Sequence, residues 1–142
     1  FDCPAKDLKT FLPIMTSAYN GCEEFESSIR LFEECVKTYG EINIASSNLY
    51  CSLFASSIDI YKNVDEEKGQ EYAFYFCDKY LKSCNGAKID KMFEKTLNRA
   101  LRECNFEFEF ELPEIFNKNG YAIEYHTNHI FPSSFKSNNS SK

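Results

Sequence analysis

Few side chains in this sequence are spaced for catalysis or metal chemistry. Only two histidines occur, His126 and His129, with Glu124 as the carboxylate beside them. That falls short of the three or four ligands that hold a metal ion stably. No G-x-S-x-G elbow, glycine-rich phosphate loop or H-E-x-x-H helix is present. Carboxylates are plentiful, but Glu23, Glu24, Glu33 and Glu34 fall on the polar side of a predicted helix. A solvated helix face is the expected reading there, since acid/base catalysis draws on buried groups. The reading is a non-catalytic protein with no metal or cofactor.

Cysteine carries the next signal. Seven occur in 142 residues, none as a C-x-x-C pair and none spaced with histidines as zinc ligands. Such a set reads as a disulfide framework and places the chain in an oxidising, extracellular compartment. Sorting the cysteines by helix ends pairs Cys22 with Cys104 and Cys3 with Cys84, and leaves the third bond to two of Cys35, Cys51 and Cys77. The seventh is either a buried thiol packed as a small hydrophobe or a link to a second chain, so the chain is expected as a monomer or a disulfide-linked dimer. Phe1-Asp2-Cys3-Pro4 has neither the basic start nor the apolar run of a signal peptide and is read as the start of a mature, secreted chain. Asn138-Asn139-Ser140-Ser141 holds two overlapping N-x-S acceptors, of which one at most is expected to carry a glycan. The cysteines lack the C-x-x-x-C pair of insect odorant-binding proteins, and no His-Asp pair sits on a cysteine-rich helix as in secreted phospholipases.

The aromatic content is unusual: fourteen phenylalanines, nine tyrosines and no tryptophan. Tyr72, Phe74, Tyr75, Phe76 and Tyr80 crowd onto little more than two turns of one helix, more than a single core-facing stripe accommodates. Either another layer covers them as core, or they line a cavity between helices, where bundles hold apolar ligands. The cavity reading selects Phe54, Ile58, Tyr72, Phe76, Tyr80 and Phe93 as ligand-binding residues for a small apolar or aromatic molecule. The alternative is a secreted interaction module, such as an effector, a toxin-like inhibitor or an extracellular structural component, with an extracellular protein as partner. A formal net charge of −6 disfavours nucleic acid, which is bound through clustered cations. No run approaches eighteen apolar residues, so no membrane span is expected.

These side chains must be positioned by helices. Leu8, Phe11, Leu12, Met15 and Tyr19 recur at helical spacing over residues 4–19, where Pro13 is expected to kink or split the helix. The stripe Phe25, Ile29, Phe32, Val36 and Tyr39 predicts a second helix over 22–39, closed by Gly40. A third, capped by Ser46, Ser47 or Asn48, carries Tyr50, Leu53, Phe54, Ile58 and Tyr61. The fourth starts at Asp65 and ends before Asn85-Gly86. The fifth runs from about Lys88 to Cys104. Phe106-Glu107-Phe108-Glu109-Phe110-Glu111-Leu112 alternates with period two, as do Tyr121, Ile123 and Tyr125, which predicts strands. The expected fold is mainly α: one domain over 1–131, a disulfide-stapled bundle of about five helices with a C-terminal extended arm or β-hairpin packing its aromatics on the bundle. A disordered tail is expected over 132–142.

Overall fold

The computed structural model describes residues 4–126 and 129–134. The chain is mainly helical, with seven helices and one hairpin among the described residues. In chain order these are α1 (Ala5–Gly21), α2 (Phe25–Tyr39), α3 (Glu41–Ile44), α4 (Ser47–Asn63), α5 (Glu66–Cys84), α6 (Lys91–Glu103), α7 (Phe106–Lys118), β1 (Tyr121–His126) and β2 (His129–Ser134).

Short polar side chains set the helix starts. Ser46 accepts from the Leu49 N–H at 3.1 Å, Asp65 from Lys68 at 3.0 Å and Asp90 from Met92 at 2.7 Å. Each satisfies a donor that a helix start leaves unpaired. The stops use positive φ: Gly40 (85°) closes α2, and Asn85 (50°) with Gly86 (84°) closes α5. Pro13 does not split the first helix, since α1 runs through it. The donor it removes would have served the Lys9 carbonyl, on a flank where Lys9 and Thr10 are exposed and water can substitute. On the covered side, the buried Thr16 hydroxyl donates to the Leu12 and Pro13 carbonyls, both at 3.0 Å.

The largest correction concerns residues 106–112, which form the first half of α7 and not a strand. In a strand Phe106, Phe108, Phe110 and Leu112 would share one face. Here Phe108 and Leu112 are wholly buried, while Phe106 and Phe110 are about two-thirds exposed (68% and 67%). Ile115 and Phe116 extend the buried stripe, giving the spacing of 4, 3 and 1 that a helix presents to a core. Asn105 caps the helix by accepting from the Glu107 N–H at 3.0 Å, and Glu107 and Glu109 place negative charge in the first turn, where the helix dipole favours it. The hairpin that is present is a different one from the pairing of 106–112 with 121–125 that the alternation suggests: β1 and β2 run antiparallel in a register from Tyr121 opposite Ser134 to His126 opposite His129. Pro132, Ser133 and Ser134, expected in the tail, lie in β2, and 135–142 lie outside the described residues.

The centre of the fold is the hairpin of α4 and α5. The two backbones meet closely at Gly69, where a Cβ would lie 2.3 Å from the Tyr61 nitrogen, so only glycine fits. Around this pair, α1, α2 and α6 pack on α4, and α7 packs on α5. The core is continuous through Leu12, Leu53, Phe54, Phe76, Phe93 and Phe116. Tyr121 at the start of β1 is buried and donates to the Ala87 carbonyl, which ties the hairpin to the loop after α5.

The disulfide framework is not formed among the described residues. Helix register explains why Cys22 with Cys104 and Cys51 with Cys77 do not pair. Cys22 adjoins the turn whose Asn20 meets Ser52 and Ser56 of α4, whereas Cys104 adjoins Asn105, whose N–H reaches Tyr61. At 1.5 Å per residue those places are roughly 10 Å apart along α4, beyond the Cα separation of about 4.4–6.8 Å that a disulfide spans. Cys51 lies alongside Cys84, not Cys77: Ser47, one turn before Cys51, hydrogen-bonds Ser83 at 3.0 Å. Cys77 lies two turns back along α5, wholly buried. The expected pair of Cys3 with Cys84 lies partly outside the described residues.

Candidate functional site

The six residues selected from sequence separate into three places. Phe54, Ile58 and Phe93 are wholly buried between α4 and α6. The Phe93 ring stacks on Tyr80 at 3.9 Å between centroids, meets Phe54 at 4.8 Å and approaches Phe116 at 6.4 Å, so these rings fill the core against one another. Tyr80 is buried too, but its edge reaches a first groove, and its hydroxyl accepts from the Asp90 N–H at 2.9 Å. Tyr72 and Phe76 border a second groove, between α2 and α5.

That second groove, of about 520 Å³, is the candidate site. Its floor is Ile29, Phe32 and Phe76, all buried, and its walls are Val36, Tyr72 and Tyr75. Phe32 and Tyr75 both meet the Phe76 ring edge-on with centroids 5.3 Å away, and Tyr72 stacks on it at 6.3 Å. These contacts hold the floor without a ligand, as in a preformed apolar site. The crowding of aromatics on α5 thus resolves into three directions: Phe76 and Tyr80 face inward, Tyr72 and Tyr75 stand beside α2, and Phe74 packs on Phe108 of α7 at 4.9 Å.

The rim is polar and mostly acidic: Glu33, Glu41 and Glu71, with Lys37. Glu41 is held in place, accepting from the Tyr50 hydroxyl at 2.6 Å and the Tyr75 hydroxyl at 2.9 Å, with the Lys79 ammonium 3.6 Å away. Burial and the Glu41 hydrogen bond push the Tyr75 phenol up to about 12 and raise that of Tyr50 further. Burial also raises the Tyr72 phenol, helped by the surrounding charges of Glu33, Glu26, Glu71 and Asp65. The Tyr50 and Tyr75 phenols therefore act as neutral donors to Glu41 at physiological pH. Sequence reasoning missed Phe32, Tyr75 and Glu41 as site residues. Phe32 and Tyr75 were visible as members of aromatic stripes, but nothing local marks Glu41, whose place depends on the turn at Gly40.

The first groove, about 850 Å³, runs between the start of α4 and the end of α5 and is edged by Ile14 and Met92. Cys51 and Cys84 line it. Burial pushes the Cys51 thiol up to about 12 and also raises Cys84, against opposing hydrogen bonds from Tyr80, Ser47 and Ser83. Thiols held protonated in this way are poor nucleophiles. Among the described residues no three His, Cys, Asp or Glu side chains converge as metal ligands, and no helix is long and apolar enough to cross a membrane. Comparison with known proteins finds no matching family model, no matching curated protein and no matching solved structure.

Proposed function

We propose that this chain is a secreted, non-catalytic binding protein that holds a small apolar or aromatic ligand against Tyr72 and Phe76 in the groove between α2 and α5. One observation carries the reading: an aromatic floor, braced from behind by the core, faces a groove of ligand size. Secretion rests on the sequence alone, on the number of cysteines and the Asn138 and Asn139 acceptors, with no disulfide among the described residues to add to it. Native mass spectrometry of protein purified from its source, joined to titration with an environment-sensitive apolar dye, tests the proposal. A bound small-molecule mass and one saturable dye site, weakened about tenfold by Tyr72→Ala, are the expected results, on the scale of about 1.4 kcal/mol for one lost aromatic contact. No bound mass together with no saturable site refutes it.

A second reading, an extracellular interaction module, is favoured by a different surface. Phe106 and Phe110 stand exposed on α7 in edge-to-face contact with centroids 6.2 Å apart. Large exposed aromatics of this kind are typical anchors at protein interfaces. A pull-down from extracellular material that is lost in the Phe106→Ser/Phe110→Ser variant supports the second reading.

A further inference from the structure

The charge around the α2/α5 groove narrows the class of ligand. Three of its four charged rim residues are carboxylates. Glu41 is already engaged by Tyr50, Tyr75 and Lys79. Lys37 lies 3.5 Å from Glu34, so its charge is partly answered from outside the groove. Glu33 and Glu71 are different: among the described residues neither makes an ion pair, and both line the groove, Glu33 from α2 and Glu71 from α5, with their charges acting on Tyr72. The groove thus joins the half-buried ring of Tyr72 and the exposed ring of Tyr75 to carboxylates without a counter-charge. An ammonium gains from both, through the quadrupole of the rings and through Coulomb attraction, whereas a carboxylate or phosphate is repelled. The molecule already contains a small version of this arrangement at the end of the groove, where the Lys79 ammonium lies 5.4 Å from the Tyr75 ring centroid and 3.6 Å from Glu41.

Resting on the binding function proposed above, we infer that the ligand is a small organic cation: an ammonium carried on an apolar or aromatic body, with the body against Tyr72 and Tyr75 over the Phe32 and Phe76 floor and the charge at the Glu33 and Glu71 rim. A neutral apolar compound leaves the two carboxylates unanswered and binds less well. An anionic one is excluded.

The test compares a matched pair of probes, 3-phenylpropyltrimethylammonium and neutral 3-phenylpropan-1-ol, titrated into the full chain at low salt and followed by calorimetry and by amide chemical shifts. The cation is expected to bind at least tenfold more tightly than the alcohol, to shift the amides around Phe32 and Tyr72, and to weaken as salt is raised. Glu33→Gln with Glu71→Gln should remove most of that tenfold preference and leave the alcohol unchanged. Both positions are exposed, so the fold tolerates the exchange, which helical circular dichroism verifies. Glu109→Gln with Glu111→Gln on α7 removes the same net charge elsewhere and should have little effect. Equal binding of both probes in the groove, or equal loss in the two double variants, overturns the cation assignment while leaving the groove as a binding site. Failure of both probes to shift groove amides overturns the assignment and the binding function together.

Discussion

At the scale of single residues, burial raises thiols and phenols alike and sorts the cysteines by reactivity. Burial raises the Cys104 thiol to about 11, against the pull of Arg99, and leaves Cys77 wholly inside the core. Cys22 is exposed at the end of α1. A thiol of that acidity is only about 0.1% thiolate at pH 8, so alkylation of Cys104 should accelerate about tenfold per pH unit between pH 8 and 10. Mass spectrometry of a timed alkylation should find Cys22 modified first, Cys104 later with that pH slope, and Cys77 protected until the protein unfolds. Modification of Cys77 as fast as Cys22 in folded protein would contradict the burial described here. The cysteine count was legible in the sequence, but the pairing was not, because thiol separation depends on how far one helix slides past another. Sorting by helix ends gives Cys84 to Cys3 and leaves Cys51 to share the third bond with Cys35 or Cys77, whereas the α4/α5 register sets Cys51 alongside Cys84.

At the scale of elements, α2, α4 and α5 could be read from sequence because three signals agree in each: a capping or stop residue, an apolar stripe and a loop of turn-forming residues. Ser46, Asp65, Gly40 and Asn85 all do what their types suggest. Residues 106–112 misled because a Phe-Glu alternation satisfies period two and, at every second aromatic, also satisfies a spacing of four. The tie is broken by Ile115 and Phe116 and by the Asn105 cap, signals beyond the alternating run. The aromatic groove was half legible: the crowding at 72–80 announced a second face, but which helix would stand opposite it did not follow from sequence. The α4/α5 contact offers a direct test. Gly69→Ala forces a methyl into the Tyr61 backbone, which cannot yield as a side-chain tip can, so thermal or urea unfolding should show a loss of about 3 kcal/mol, the upper part of the usual overpacking range. An ordinary helical glycine would instead gain about 0.5–1 kcal/mol from the same exchange.

Taken whole, the molecule is a central helical hairpin with α1, α2 and α6 packed on α4 and α7 on α5, and the aromatic α5/α7 joint, where Phe74 meets Phe108 at 4.9 Å, ends in a polar cluster. Asp78 on α5 accepts from Asn119 at 2.9 Å and from Lys82 at 2.5 Å, with Lys118 of α7 3.4 Å away. Its burial alone would raise the carboxyl pKa, but the hydrogen bonds from Asn119 and Lys82 and the two lysine charges outweigh it and lower the value. A carboxyl lowered by folding adds stability above its unfolded value, about pH 4, and that contribution is lost as pH falls through the lower folded value. Asp78→Asn should therefore cost about 1 kcal/mol at pH 7, a partly exposed charged network being modest in strength, and the difference from wild type should vanish in acid. A constant difference across the acid range would show that Asp78 acts by packing and not by charge.

The central claim is that the space between α2 and α5 receives a ligand, and the most direct measurement fills that space. Val36 is half-buried on the groove wall, so Val36→Trp places an indole over Phe32 and Phe76 without removing anything from the core. Titrating the apolar dye into wild type and variant, with melting curves recorded for both, should give one saturable site in wild type. In Val36→Trp the affinity should be at least tenfold lower with the melting temperature retained. Equal, saturable binding by a folded Val36→Trp would place the ligand elsewhere and contradict the account.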